Sequence, residues 1–438
     1  MKRKPKAIIY TLGCRVNTCE SLSVADRLCE LGYEIISEKS SDIPDAVVIN
    51  TCAVTAESAR KCKQIIRRFR QKYPDVLIAA IGCLCQSKEK LPQADIVMGN
   101  CDKNEVADII AENQGKRLQE QIYLVDDISK QTKCSSAVHS TAYMTKCNIK
   151  IEDGCDSKCA YCIIPSLRGR VRSKDPEELM REIEDRVSEG RSEIVLTGIE
   201  TGSYGKDLKN ISLCDILERA DKIKGLYLIR LGSLDPFCFN DEFIDRISKL
   251  EHLEKHIHLS VQSGADNVLA KMRRKYNRKT LQERIRKLYK AIPDLNITAD
   301  IIVGFPGETR QDFEETAEFA KEANFFHMHI FPYSEREGTE AAKMPDSVPI
   351  EERRARAAEL EKINGLCKNK ILQNSKGKVY TVHFETKKDD YNRGYTEGFV
   401  PVKVKNKENL KGRIMKIRCI DTDESGTGLI GEIYDKEE

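Results

Sequence analysis

At 438 residues, with 40% hydrophobic and 33% charged side chains, the chain is an ordinary globular sequence long enough for about two to four cores. Its longest apolar runs, such as the one near 75–83, are strand-length, and the basic N-terminus enters a strand-like run with no small-residue cleavage site; this predicts a cytoplasmic protein with no signal peptide and no membrane attachment. The net charge of +3 selects no partner class, whereas 17 cysteines, an odd number, exclude complete disulfide pairing and in a reducing compartment point to metal or catalysis.

From Lys6 to about Val125 the pattern is strand, turn, helix, repeated. The runs AIIY (7–10), AVVIN (46–50), VLIAAI (76–81) and DIVMG (95–99) alternate with polar segments such as 20–31 and 57–73. Short, fully apolar strands separated by helices predict a parallel sheet covered on both faces, with ligands gathering beyond the carboxyl ends of its strands. Cysteines occupy three of those ends: Cys14 in TLGCRVN, Cys52 in NTCAVT and Cys83 in IGCLCQ. Residues 38 and 31 positions apart can therefore become neighbours and offer three thiolates to a metal centre. Cys85 is a rival for the third place; Cys83 is preferred because it follows Gly82 at the strand end. The helix-like segment 55–72 carries seven basic side chains against one acidic, either a solvated face or a contact to RNA phosphates. The polar stretch 126–141 reads as a linker.

The segment IEDGCDSKCAYCIIPSLRGR (151–170) places Cys155, Cys159 and Cys162 within eight residues. A four-iron four-sulfur cluster normally takes four cysteines, so three from one loop leave one iron open. Zinc prefers four protein ligands in a closed structural site, and no histidine lies between Ser140 and Leu250. A loop of Gly, Asp, Ser and Lys is also a poor place for core cysteines.

Six apolar or alternating runs then extend to about Tyr333: YMTKCNIKI, EIVLTGI, LYLIRLG, HIHLSVQ, ITADIIVGF and FFHMHIFPY. With amphipathic segments between them they predict a partial (β/α) barrel whose site lies at the C-terminal rim, with the cysteine loop directly after the first strand. Thr197 and Gly198, Arg230 and Ser233, Gln262 and Ser263, and Gly304 and Phe305 fall at later strand ends on that rim. His327 and His329 alternate on a strand and read as packing or RNA-facing residues rather than ligands. After a helical segment, 351–372, short β runs with Gly turns predict a five-stranded barrel. Its stretch 376–418 carries twelve Lys and Arg against five Asp and Glu, a local +7 that suits RNA, or else lysines protecting a sheet edge.

In this order, TLGCRVN, NTCAVT, the GC before a Gln and the CxxxCxxC loop resemble the methylthiotransferase branch of the radical S-adenosylmethionine superfamily, over essentially the whole chain. The terminal basic barrel resembles a TRAM domain, an RNA-binding module. The resemblance implies an α/β chain: residues 1–125 as a flavodoxin-like methylthiotransferase domain, 126–141 as linker, 142–372 as a TIM-like radical core, and 373–438 as the TRAM barrel. It implies a cluster on Cys155, Cys159 and Cys162 whose open iron takes the amino and carboxylate groups of S-adenosylmethionine, with Tyr161 at the family's aromatic position. It further implies an auxiliary four-iron four-sulfur cluster on Cys14, Cys52 and Cys83. S-adenosylmethionine contacts are expected at Thr197, Gly198, Arg230, Ser233, Gln262, Ser263, Gly304 and Phe305, with Arg230 a candidate for its carboxylate.

The reaction implied replaces an aromatic C–H of a tRNA adenosine by C–S–CH3. No acid or base removes that hydrogen heterolytically with ease, so a radical cofactor is needed. The partners implied are the tRNA anticodon loop, an electron donor such as flavodoxin or ferredoxin, and a sulfur source. TLGC followed by a basic residue, Val and Asn resembles the members acting on N6-threonylcarbamoyladenosine at position 37, although Arg15 stands where Lys is commoner. The alternatives are a methylthiotransferase acting on isopentenyladenosine tRNA or on a ribosomal-protein aspartate, and a non-catalytic, metal-stabilised RNA-binding protein.

Overall fold

The computed structural model describes residues 3–134 and 146–434. Part of the expected linker (135–141), the 142 boundary, the first residues of the run YMTKCNIKI and the last four residues of the chain lie outside the described residues. Contacts divide the chain into two compact units, one of Met1–Asp185, Leu196–Leu213 and Ser334–Ala342, the other of Arg186–Val195, Cys214–Tyr333 and Lys343–Glu438. No helix among the described residues is long and apolar enough to cross a membrane.

The first unit is built on six parallel strands, β1 (Lys6–Thr11), β2 (Glu34–Ile35), β3 (Ala46–Thr51), β4 (Leu77–Gly82), β5 (Ile96–Met98) and β6 (Ile122–Leu124), in the order β2-β1-β3-β4-β5-β6. Every residue of β3 and β4 is buried, which is why their sequences are continuously apolar instead of alternating. One face packs Val47, Ile49 and Ile78 against Ile65, Ile66 and Phe69 of helix Ala56–Lys72. The other packs Val48, Leu77 and Ile81 against Val24 and Leu28 of helix Arg15–Glu30 and Val106 and Ile110 of helix Glu105–Glu112. The chain reverses its direction across the sheet between β1 and β3, so the crevice of a doubly wound sheet opens there. The short strands β2 and β6 escape a reading by apolar runs because they are two and three residues long and partly exposed.

The same unit contains β7 (Cys147–Lys150) and a hairpin of β8 (Glu152–Asp153) with β9 (Arg172–Ser173), which clamps the base of the cysteine loop. Strand β10 (Glu193–Thr197) is shared between the units along the chain.

The second unit continues with β11 (Leu228–Leu231), β12 (His256–Gln262), β13 (Asn296–Val303) and β14 (His327–Pro332), alternating with helices such as Arg278–Ala291 and Arg310–Ala323. Strands β12, β13 and β14 are parallel neighbours. Alternation along them separates a buried apolar face (Ile257, Leu259, Ile297, Ala299, Met328) from a polar one (His256, His258, Thr298, Asp300, His329). After helix Ile350–Gln373, β15 (Val379–Lys388), β16 (Tyr391–Thr396), β17 (Pro401–Lys405), β18 (Ile414–Thr422) and β19 (Leu429–Ile433) close into a barrel, in the order β15-β16-β17-β19-β18. Val382, Phe384, Val402, Val404, Ile417 and Leu429 fill it. Its turn 397–399 is stitched to the starts of β12 and β13: the Lys255 N–H donates to the Glu397 carbonyl (3.1 Å) and the Asn296 amide to the Gly398 carbonyl (2.9 Å).

Candidate active site

Both cysteine sets lie in the first unit. The loop set follows β8, where Gly154 adopts φ +85° and a Cβ would come within 1.9 Å of the Arg170 carbonyl oxygen, so only glycine admits the turn. The Cys155 N–H donates to the Gly169 carbonyl (3.0 Å) and the Cys162 N–H to the Cys159 carbonyl (3.1 Å), curling the loop so that its three half-buried cysteines share one short arc. Burial raises the Cys155 thiol above its ordinary value and the Cys159 sulfur adds to this, while the Ser157 N–H, 3.4 Å from Cys155 Sγ, favours the thiolate. Tyr161 is half-buried in the same arc. The segment 334–342 lies against it, with the Ala341 N–H donating to the Ala160 carbonyl at 2.8 Å.

The second set is assembled by topology. Cys14 is the N-cap of helix Arg15–Glu30 after β1, Cys52 follows β3, and Cys83 opens a short helix after β4. Gly13, at φ +101°, lets the first loop approach so closely that a Cβ there would stand 2.8 Å from Cys52 Cβ. Cys83 is an electrostatic neighbour of both Cys14 and Cys52. Burial raises the Cys52 thiol and the Cys83 sulfur pushes the same way, while a Val54 N–H and the Arg168 charge pull it down. The Asn100 amide lies 3.5 Å from Cys83 Sγ. Cys85, by contrast, points to the Thr51 hydroxyl (3.9 Å), and burial pushes its thiol up to about 12.

Between these sets lies a buried charge network that the linear sequence does not announce. Arg168, fully buried, donates to Glu20 (2.6 Å), Asp153 (3.2 Å) and the Asn17 side-chain oxygen (2.7 Å). Lys150 donates to Glu20 (2.9 Å) and Asp153 (2.6 Å), Lys103 pairs with Glu20, and Arg172 stands 3.5 Å from Asp153. Asn17 in turn donates to the Leu12 and Thr51 carbonyls (2.7 and 3.0 Å), tying together the two loops that carry Cys14 and Cys52. Four cationic side chains thus meet two carboxylates in a region closed to water, and uncompensated buried positive charge is costly. An anionic group held by three thiolates supplies the missing negative charge, so the residues fit a cysteine-ligated iron–sulfur cluster at this place.

The expected rim residues have mixed surroundings. In the first unit Thr197 accepts the Ile151 N–H (2.9 Å), and Gly198 lies against the Glu152 carboxyl group, which burial pushes well above its ordinary range. In the second unit Gln262 ends β12 with φ +70° at an irregular pairing, a strained backbone of the kind kept at binding sites. Ser233 is half-buried in the loop after β11. Arg230 is buried between Glu193 and Glu254 (2.6 Å to the latter), so its charge is already matched by two protein carboxylates. Ser263 faces the Thr316 hydroxyl (3.1 Å), Gly304 lies under Arg353, and Phe305 packs edge-on against Tyr333.

The two basic surfaces also differ. On helix Ala56–Lys72, Arg60, Lys63, Arg68 and Arg70 pair with Glu57, Glu89, Glu38 and Asp95, so most of its charge is bound locally. On the terminal barrel, Lys388, Arg393, Lys405, Lys411 and Lys416 are exposed and have no carboxylate partner among the described residues.

Residues 149–320 match the family model described as Radical SAM superfamily, and residues 6–99 the model described as Uncharacterized protein family UPF0004. The chain is 35% identical to the threonylcarbamoyladenosine tRNA methylthiotransferase MtaB of Bacillus subtilis (strain 168), over 94% of this chain and 93% of that protein. It is 32% identical to the Aquifex aeolicus (strain VF5) protein of the same name, over 94% and 99% of the two chains. It is 33% identical to the tRNA-2-methylthio-N(6)-dimethylallyladenosine synthase of Staphylococcus haemolyticus (strain JCSC1435), over 95% and 82%. A solved structure of the radical S-adenosylmethionine methyltransferase TsrM from Kitasatospora setae superposes with a TM-score of 0.55 at 14% identity, covering 78% of this chain and 77% of that one, a likeness of fold. The architecture is that of a radical S-adenosylmethionine enzyme. The chain belongs to the radical S-adenosylmethionine methylthiotransferase family and is a transferase, and this membership implies a four-iron four-sulfur cluster and S-adenosylmethionine.

Proposed function

We propose that this enzyme converts N6-threonylcarbamoyladenosine at position 37 of tRNA to its 2-methylthio derivative, with one cluster on Cys155, Cys159 and Cys162 and an auxiliary cluster on Cys14, Cys52 and Cys83. The observation that carries the two-cluster reading is the gathering of the second three cysteines at the switch point of the sheet, beneath an excess of buried positive charge. When bound, the clusters and S-adenosylmethionine supply the one-electron and sulfur chemistry that an unactivated aromatic C–H requires.

The chain's own residues hold and orient. Gly154 and the 334–342 segment shape the loop that presents one set of thiolates; Gly13 and Asn17 bring the Cys14 and Cys52 loops together; Arg168 and its partners keep that region dry and positive. Thr197, Gly198, Ser233 and Gln262 are the rim positions proposed to face S-adenosylmethionine, and Arg230 is assigned to holding the barrel strands. Residues 373–438 form the proposed tRNA-binding domain, and Lys388, Arg393, Lys405, Lys411 and Lys416 offer charge to anticodon-arm phosphates. The modified adenosine lies in a single-stranded loop, where an enzyme can splay the base out. An electron donor such as flavodoxin or ferredoxin and a sulfur source complete the set of partners.

TLGCRVN and the names of two of the relatives support the threonylcarbamoyl substrate. The similar identity to a dimethylallyladenosine enzyme supports the second reading, the isopentenyl substrate. Mass spectrometry of tRNA nucleosides from a deletion strain decides: the account expects loss of 2-methylthio-N6-threonylcarbamoyladenosine with accumulation of its precursor. Loss of the isopentenyl form instead, or unchanged tRNA with a lighter ribosomal protein, contradicts it.

A further inference from the structure

The polar face of β12, β13 and β14 carries a cluster of chemistry-bearing side chains that the cysteine sites do not use. Pairing places Thr298 opposite His258 and His329 opposite Asp300, and alternation turns all four side chains to one face. His258 Nε2 stands 3.2 Å from Asp300 Oδ2, and the His258 and His329 rings meet edge to face at 5.4 Å between centroids. One ligand atom from each of His258, Asp300 and His329 falls within 4.8 Å of the other two.

Behind this cluster the Thr298 hydroxyl lies 2.9 Å from His256 Nε2 and 2.8 Å from His258 Nδ1. With a single proton it donates to one ring and accepts from the other. His258 Nδ1 is thereby engaged, and its Nε2 is the ring atom that faces the Asp300 carboxylate.

Nε2 and the Asp300 oxygen are spaced as two neighbouring ligands of one cation. Ligand atoms about 2.0 to 2.2 Å from one ion, at square or tetrahedral angles, are themselves about 3 to 3.5 Å apart, and the observed 3.2 Å falls in this range. The Thr298 hydroxyl on Nδ1 is placed as the outer-shell partner that a metal-bound imidazole needs on its other nitrogen. We infer that His258, Asp300 and His329 bind one divalent first-row metal ion, separate from the cysteine-held iron, with its remaining positions open to water or to an oxygen-donor group such as a carboxylate or phosphate. Partial exposure of all three side chains leaves the ion an entry path.

The test uses the full-length, anaerobically prepared enzyme with its iron in place, titrated with Mn2+ and followed by electron paramagnetic resonance; Mn2+ favours oxygen and imidazole over thiolate, so the cysteines do not compete. One saturable ion per chain, showing nitrogen coupling from imidazole, is expected. Asp300→Asn and His329→Gln should each weaken binding at least tenfold with iron content and folding unchanged, and His327→Gln on the same strand should leave it intact. Absence of saturable Mn2+ binding, or saturable binding unaltered in both Asp300→Asn and His329→Gln, overturns the assignment and leaves a proton on His258 as the occupant of the gap.

Discussion

The two cysteine sets are positioned by opposite routes. Cys155, Cys159 and Cys162 are held by one loop whose turns are closed by its own backbone, so their spacing is a local property. Cys14, Cys52 and Cys83 come from three loops joined by the sheet, by Gly13 and Asn17 between the first two and by the Thr51 hydroxyl, which accepts the Leu84 N–H (3.1 Å), between the last two, and they lie against charges contributed by distant parts of the chain. A local set can be lost without disturbing the fold around it, whereas an assembled set is bound up with the core of its domain. Changes in the two sets should therefore fail in different ways.

The largest effect is expected from replacing Cys155, Cys159 and Cys162 together by Ala. Reconstituted wild-type protein should hold roughly eight iron atoms per chain, and the triple variant about half of them, with 5'-deoxyadenosine formation abolished. Stoichiometric zinc in place of iron would sink the reading. Next, Arg168→Met should act on the assembled set while leaving the loop cysteines in place. Removing this guanidinium takes its hydrogen bonds from Glu20, Asp153 and Asn17 in a dry interior, while Lys103, Lys150 and Arg172 remain to pair the two carboxylates, a change worth about 1 to 3 kcal/mol. Calorimetry should show a lower melting temperature and iron analysis a preferential loss from the assembled site; wild-type stability would mean that the network is not needed. The smallest effect should come from the surface. Lys405→Glu or Lys416→Glu should weaken tRNA binding about three- to tenfold at low salt and reduce the salt dependence by about one counterion each, with both clusters intact. Equal reversals at Arg60 and Lys63, whose charges are already paired, should change binding less.

The same contrast explains what could be read from the chain. The CxxxCxxC loop is legible because its geometry is set within eight residues. The three strand-end cysteines are legible one step further on, because fully apolar strands imply a parallel sheet and a parallel sheet aligns its carboxyl ends. Arg168 escapes, since in SLRGR it reads as an ordinary turn residue and its partners Glu20 and Asn17 are 148 and 151 positions away. The basic segment 55–72 reads equally as a solvated face or an RNA contact because the partners of its charges, Glu38, Glu89 and Asp95, come from other loops. Arg230 is placed by its sequence at the end of a strand, but its buried carboxylate partners decide what it holds. In the terminal barrel the last strand, Leu429–Ile433, follows a turn after the alternating runs end, so five strands were expected from a stretch that supplies only four of them. His258, Asp300 and His329 belong to three strands, and only register brings them together.

The central claim is the proposed division of labour, in which the cluster held by Cys14, Cys52 and Cys83 would serve sulfur insertion and the cluster held by Cys155, Cys159 and Cys162 would serve S-adenosylmethionine cleavage, and Cys52→Ala tests it most directly. Assayed under strong reductant with tRNA, this variant should still form 5'-deoxyadenosine and should yield no methylthiolated nucleoside, with about four iron atoms lost per chain. Full methylthio product from Cys52→Ala would contradict the account and reduce Cys14, Cys52 and Cys83 to packing residues.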